Sequence, residues 1–192
     1  MVLAGALAAP AQAEVILYEA TLSGLQEASP NTSEGAGSVG VTIDTDDSTM
    51  RVQATFSDLT GTTTAAHIHC CAPIGVNASV ATTTPTFLGF PSGVTSGTYD
   101  ATFDMTLASS YRSGFIDDHG GTTALAFAAL LEGLDDGLAY FNLHTSAFPG
   151  GEIRGQLSLV REPVAVPEPA SAALVLAGLA LLLSSRRRQP RR

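Results

Sequence analysis

Three histidines lie in two segments whose alternation is typical of β-strands. His67 and His69 stand in the run AHIHCC, and His144 ends the run YFNLH. Side chains two residues apart on a strand point to the same face, so His67 and His69 share a face that Ile68 does not. With the apolar residues of both runs in the core, neighbouring strands would bring the three imidazoles together. Copper(II) and zinc(II) both accept three histidines with an open position.

The same residues also fit a structural interpretation without a metal. Neutral imidazole readily forms hydrogen bonds to neighbouring strands and loops. The placement of His67, His69 and His144 resembles copper/zinc superoxide dismutase, a β-sandwich in which an H-x-H pair and a later histidine share the copper. This sequence has no candidate for the bridging histidine of that enzyme. We therefore expect no required cofactor, and we keep copper or zinc at the three histidines as the alternative.

The two cysteines of the chain, Cys70 and Cys71, are adjacent. An exported protein meets an oxidising environment that favours disulfides, but a bond between neighbours requires a strained ring. Three interpretations remain open: soft metal ligands beside His69, an intermolecular disulfide, or semi-buried thiols. We favour the thiols, because free cysteine often packs as a small apolar residue.

Period-2 alternation of apolar residues predicts that the middle of the chain is mostly β. One short helix is predicted over 123–132, with Thr122 as N-cap and Gly133 as C-cap. Seven or so strands with Gly-rich turns predict an antiparallel Greek-key β-sandwich of the immunoglobulin-like or superoxide-dismutase-like kind. The segment 73–96 is predicted to be an extended loop. Strands are expected at 16–22, 39–43, 50–56, 66–70, 98–107, 139–144 and 152–159.

The charge of the middle of the chain disfavours some classes of function. Between Glu14 and Val166 there are 17 acidic residues and four arginines, a net charge of −13. Such a surface repels phosphate backbones, so we expect no nucleic-acid binding. The sequence contains no nucleophile elbow, P-loop or zinc-protease motif, and we expect a protein that is not an enzyme.

Both ends of the chain have the composition of targeting segments. Residues 1–13, MVLAGALAAPAQA, combine an apolar run with a small-x-small site, which predicts a signal peptide, truncated at its start, that is cleaved after Ala13. At the other end, a linker over 162–166 leads into an apolar stretch over 172–183 and five terminal arginines. As a helix this stretch spans only ~20 Å, and arginines beside it favour the cytoplasmic side of a membrane.

The segment 167–192 resembles the PEP-CTERM sorting signal of Gram-negative bacteria. The resemblance rests on the fixed order of the motif Pro167, Glu168, Pro169, a short hydrophobic transmembrane helix and an arginine cluster. It implies an exosortase-type sorting enzyme as partner, transient anchoring in the inner membrane and removal of the tail. The protein is then expected in the cell envelope, at the cell surface or outside the cell. A simple C-terminal membrane anchor is the alternative.

The predicted domain, residues 14–161, resembles the CHRD domain, which is named from chordin. Two stretches carry the resemblance, TAAHIH from Thr64 and YFNLHTSAFPGGEIRGQL from Tyr140. It implies a β-sandwich of extracellular proteins with no settled enzymatic role. Cys70 and Cys71 depart from the usual pattern, in which a glycine or small residue is expected.

Glu152 and Arg154 lie in the second of these stretches, after a tight turn that contains glycine. Because they are two residues apart on one strand, they share a face, and we expect them to pair with neighbouring strands in a structural role. The alternative is that Arg154 binds a carboxylate through its bidentate guanidinium.

Taken together, these features predict an exported, noncatalytic protein of the cell surface or extracellular matrix that is sorted by an exosortase-type system. Extracellular polysaccharide is a further expected partner. One alternative is an extracellular copper- or zinc-binding protein with a site at His67, His69 and His144. The other is a protein-binding module like the repeats of chordin, which rests on analogy of fold alone.

Overall fold

The computed structural model describes residues 15–160. This part of the chain contains eight strands, two α-helices and two 3-10 turns, at Gly24–Gln26 and Ala108–Ser110. The strands are β1 (Val15–Ser23), β2 (Ala36–Asp44), β3 (Thr49–Ser57), β4 (Thr63–His69), β5 (Gly97–Asp104), β6 (Tyr140–Thr145), β7 (Ile153–Gln156) and β8 (Ser158–Leu159). The helices are α1 (Ser113–Asp118) and α2 (Thr123–Asp135).

All strand pairs are antiparallel and belong to one sheet, in the order β4-β6-β7-β1-β2-β3-β5, with β8 paired to β1. The mostly-β antiparallel class is thereby confirmed, but the strands form one continuous curled sheet where two separate sheets were predicted. Strand β1 makes the connection. It pairs with β2 over its whole length, while Ser23 at its end pairs with Arg154 of β7. A second short helix, α1, forms in addition to the predicted one.

The two halves of the sheet face each other across aromatic side chains from the segment between β4 and β5. The ring centroid of Phe87 lies 6.1 Å from that of Tyr99 on β5 and 6.2 Å from that of Phe141 on β6. Phe87 is fully buried, and Phe90 beside it also contacts Tyr99. The segment predicted as an extended loop is therefore part of the core, and it holds the β4-β6-β7 half of the sheet against β3 and β5.

Helix α2 begins where the sequence predicts, because the Thr122 hydroxyl accepts a hydrogen bond from the backbone N–H of Leu125. The predicted end is wrong: the helix continues to Asp135, and Gly133 lies inside it. A Cβ at Gly133 would overlap the sulfur atoms of Cys70 and Cys71. The glycine therefore serves close packing of α2 against the end of β4.

The predicted signal peptide with its cleavage site at Ala13, the linker over 162–166 and the sorting segment with Pro167, Glu168 and Pro169 lie outside the described residues. The predicted hydrophobic C-terminal helix lies outside them too. Within residues 15–160, no helix is both long enough and apolar enough to cross a membrane.

Candidate metal centre

The three predicted histidines come together on one face of the sheet, because β4 and β6 are neighbours. In the register of this pair, His67 is opposite Asn142, His69 is opposite Tyr140, and His144 is opposite Ala65. The opposite face, which includes Ile68, belongs to the core. One ligand nitrogen from each histidine lies within 4.8 Å of the other two. The predicted convergence of the imidazoles is thus present in the structure.

Two backbone carbonyls fix the orientation of the rings. The Nδ1 atom of His69 lies 2.8 Å from the carbonyl oxygen of Ala78, and that of His144 lies 3.0 Å from the carbonyl oxygen of Pro149. A carbonyl only accepts, so each Nδ1 is the donor and each Nε2 keeps its lone pair. Both Nε2 atoms, and Nδ1 of His67, are buried without a hydrogen-bond partner. The carbonyls occupy the position that second-shell partners take around metal-binding histidines.

The environment keeps the imidazoles neutral. Burial, followed by repulsion from His144 and His69, lowers the pKa of His67 to about 3. Burial also lowers the pKa of His69 to about 4. The hydrogen bond to Ala78 opposes this decrease, while repulsion from His144 and Arg154 adds to it. Burial lowers the pKa of His144 in the same way. At neutral pH the cluster therefore offers three lone pairs without first losing protons.

The ring of His69 packs against a stack formed by Tyr140 and Arg154. Its ring lies parallel to that of Tyr140, with centroids 4.7 Å apart, and the Cζ atom of Arg154 lies 3.3 Å from the Tyr140 centroid. Strand β6 lies between β4 and β7, so His69 and Arg154 approach the tyrosine from opposite sides. The Tyr140 hydroxyl accepts a hydrogen bond from the N–H of Ala78, the residue whose carbonyl orients His69. The stack and this loop residue position the imidazole together.

Glu27 and Asn142 are the polar residues beside the cluster that the sequence analysis missed. Asn142 donates to the Glu27 carboxyl at 3.2 Å, and burial raises the pKa of Glu27 to about 7, against the opposing effects of Asn142 and Arg154. The second carboxyl oxygen of Glu27 and the side-chain oxygen of Asn142 are buried without a partner. Asn142 lies two residues before His144 on β6, so the alternation of side chains along a strand could have placed it on the same face as the cluster. Glu27 follows the 3-10 turn after β1, where no periodic pattern marks it.

A cleft of about 350 Å³ opens beside these residues. Its wall includes Glu27, Asn77 and Pro149. Pro149 supplies the carbonyl that holds His144, and Asn77 precedes the residue that holds His69. The cleft thus lies against both segments that orient the imidazoles.

Cys70 and Cys71 are joined in a disulfide. The favoured prediction of free thiols is wrong, and so is the intermolecular disulfide. The sulfur of Cys71 lies 3.8 Å from the carbonyl oxygen of Ala129 on α2, and the metal-ligand cluster within residues 15–160 contains neither cysteine. A bonded sulfur pair has no thiolate to offer, so the cysteines are not ligands of the cluster in this state.

Glu152 and Arg154 are both buried rather than paired at the surface. The Glu152 carboxylate accepts hydrogen bonds from the Thr145 and Ser33 hydroxyls, both at 2.5 Å, and from the backbone N–H groups of Thr60 and Gly61. Arg154 donates to the side chain of Asn77 and to the carbonyl of Val76. No carboxylate oxygen of the described chain lies within 4.0 Å of its guanidinium, so the alternative of a bound carboxylate has no partner among these residues.

Comparison with known families agrees with both resemblances seen in the sequence. The family model of the CHRD domain matches residues 18–157, and the model of the PEP-CTERM protein-sorting motif matches residues 165–189. The first match spans most of the chain and contains all three histidines of the cluster. No curated protein and no solved structure matches the chain significantly.

Proposed function

Because the chain belongs to the CHRD domain family and carries a PEP-CTERM sorting motif, we propose that it is a cell-envelope protein that binds copper or zinc through His67, His69 and His144. The sorting motif implies export to the cell envelope or surface and processing by an exosortase-type system. Metal binding is supported by the convergence of one ligand nitrogen from each imidazole, and by the buried nitrogen without a hydrogen-bond partner that each of these rings carries. The domain holds its ion without catalysing a reaction.

The spacing of the ligand atoms fits one shared ion after a small closure. Imidazole nitrogens bind zinc or copper at ~2.0 to 2.1 Å, so ligands of one ion are at most ~4 Å apart. The three nitrogens here lie within 4.8 Å of one another. Each ligand nitrogen has to move by less than about 1 Å to complete the site.

Replacing a ligand should weaken metal binding strongly. We expect His67→Ala and His144→Ala each to lower the affinity for zinc or copper by at least about a hundredfold, because losing one of three ligands costs more than losing an outer-shell partner, which already costs up to a hundredfold. The measurement is elemental analysis of protein purified without chelator, followed by competitive metal titration. The matched control is His119→Ala, since His119 lies at the end of α1 with its Nδ1 on the carbonyl of Phe115 and outside the cluster. Protein that contains and binds no copper or zinc would contradict the proposal.

Replacing the sorting motif should stop processing of the tail. In cells that produce the protein with Pro167→Ala, Glu168→Ala and Pro169→Ala, we expect unprocessed chain to remain in the inner membrane. Cell fractionation and mass spectrometry of the C-terminus measure this, with Glu162→Ala, Pro163→Ala in the preceding linker as the matched control. Normal tail removal and surface delivery would refute the sorting step. Association with extracellular polysaccharide stays a prediction.

A further inference from the structure

The candidate metal centre provides no negative charge of its own. Its three ligands are neutral imidazoles, and the groups that orient His69 and His144 are neutral backbone carbonyls. Within residues 15–160, no carboxylate oxygen lies within 4.0 Å of a nitrogen of these three rings. The charge of a bound ion would therefore remain uncompensated in a buried place, and the cost of burying a charge rises with the square of that charge.

Arg154 adds a fixed positive charge to the same site. Its side chain is 1% exposed and is separated from the His69 ring only by the ring of Tyr140. The guanidinium stays charged under all ordinary conditions. Its repulsion acts on any cation held by the cluster and is twice as strong for a divalent ion as for a monovalent one.

Glu27 offsets this charge only in part. Its carboxyl reaches the cluster through Asn142, which is opposite His67 in the sheet register. Within residues 15–160 the Glu27 carboxyl makes no ion pair with any of the three rings, because Asn142 lies between it and the cluster, so its attraction for a bound ion is weakened by distance. The disulfide removes the other source of negative charge, since Cys70 and Cys71 carry no thiolate.

Because the groups around the three histidines leave a bound cation largely uncompensated, we infer that this site prefers monovalent copper, Cu(I), to divalent zinc. The inference deepens the proposed metal binding and rests on it. Zinc sites in proteins are almost always completed to four ligands, by a protein side chain or a water. Cu(I) is satisfied by two or three neutral donors, and the described residues bring three together here.

The test compares the two ions on the same full-length protein at pH 7. Zn(II) is titrated against a chromophoric chelator, and Cu(I) is titrated without oxygen against bicinchoninate. We expect Cu(I) to bind at least about a hundredfold more tightly than Zn(II), as a second uncompensated charge in a buried site would cost. Equal or tighter binding of Zn(II) overturns the inference and leaves the metal site in place. Failure of both ions to bind overturns the site as well.

Two substitutions test whether the charges around the site cause the preference for Cu(I) over Zn(II). We expect Arg154→Gln to raise the affinity for Zn(II) by about tenfold and that for Cu(I) by less, because a repulsive charge is removed. Glu27→Gln should act in the opposite direction and weaken Zn(II) more than Cu(I). The matched control is Arg112→Gln, whose guanidinium lies 3.7 Å from Asp118 on α1. If both ions change equally in a folded variant, as judged by its circular dichroism spectrum, the electrostatic explanation is wrong.

Discussion

Lowering the pH from 7 to 4 should reduce the free energy of unfolding of the metal-free protein by about 3 kcal/mol through His67 alone. In the fold, burial and then the neighbouring histidines lower the pKa of His67 from 6.5 to about 3. A group with a lowered pKa in the folded state takes up its proton mainly on unfolding. Its contribution to stability is therefore complete above pH 6.5 and is lost as the pH falls towards the folded value. His69 and His144 act in the same direction.

Urea denaturation at steps between pH 7 and pH 4, in the presence of a chelator, measures this loss. His67→Gln should flatten the dependence of the unfolding free energy on pH by about 1.4 kcal/mol per pH unit between pH 6 and pH 4.5, which corresponds to one proton. An identical slope in the two proteins would show that His67 is not held neutral by the fold. A bound metal ion competes with protons for the same nitrogens, so saturating metal should move the loss of stability to lower pH.

The histidine cluster was accessible from the sequence because it lies on regular strands. Alternation places His67 and His69 on one face whatever the rest of the fold does. The approach of the third histidine depended on a single condition, that the strand ending near His144 is the neighbour of β4, and the register confirms this pairing. Glu27 could not be predicted, because a long-range approach of a loop residue leaves no local pattern. The disulfide between Cys70 and Cys71 could not be predicted either, because the geometry of a disulfide disfavours a bond between adjacent residues.

The fold was predicted at the level of class and strands but not at the level of sheet closure. Strand β1 alternates cleanly, but alternation does not show that its end also pairs with β7, and this pairing makes the sheet continuous. The segment 73–96 has the composition of a loop, yet Phe87 and Phe90 fill the space between the two halves. The composition of such a segment predicts an irregular backbone. Whether its two aromatic side chains are buried depends on the space that the packed strands leave, which composition does not show.

Glu152 connects three separate parts of the chain, and we expect Glu152→Ala to reduce the free energy of unfolding by about 3 to 5 kcal/mol. The carboxylate is completely buried and accepts from two hydroxyls and two backbone N–H groups, which would all lose their acceptor. Two of these donors lie between β3 and β4, so the variant should also loosen the start of β4. Urea denaturation at pH 7 measures the effect. The matched control is Glu19→Ala on the exposed face of β1, with an expected change within about 0.5 kcal/mol.

The pH dependence of the Glu152 interaction separates it from that of the histidines. Burial raises the pKa of Glu152, but the hydrogen bonds from Ser33, Thr145, Thr60 and Gly61 outweigh this and lower it below the ordinary value of 4.5. The stability contributed by the carboxylate is therefore complete above pH 4.5 and is lost only as the pH falls below that value. The curves of wild type and Glu152→Ala should run in parallel between pH 6.5 and pH 5, where the histidines and Glu27 titrate in both proteins, and should approach each other in more acidic solution. Curves that converge already above pH 5 would mean that Glu152 is protonated in the fold, and that the four donors do not hold a carboxylate.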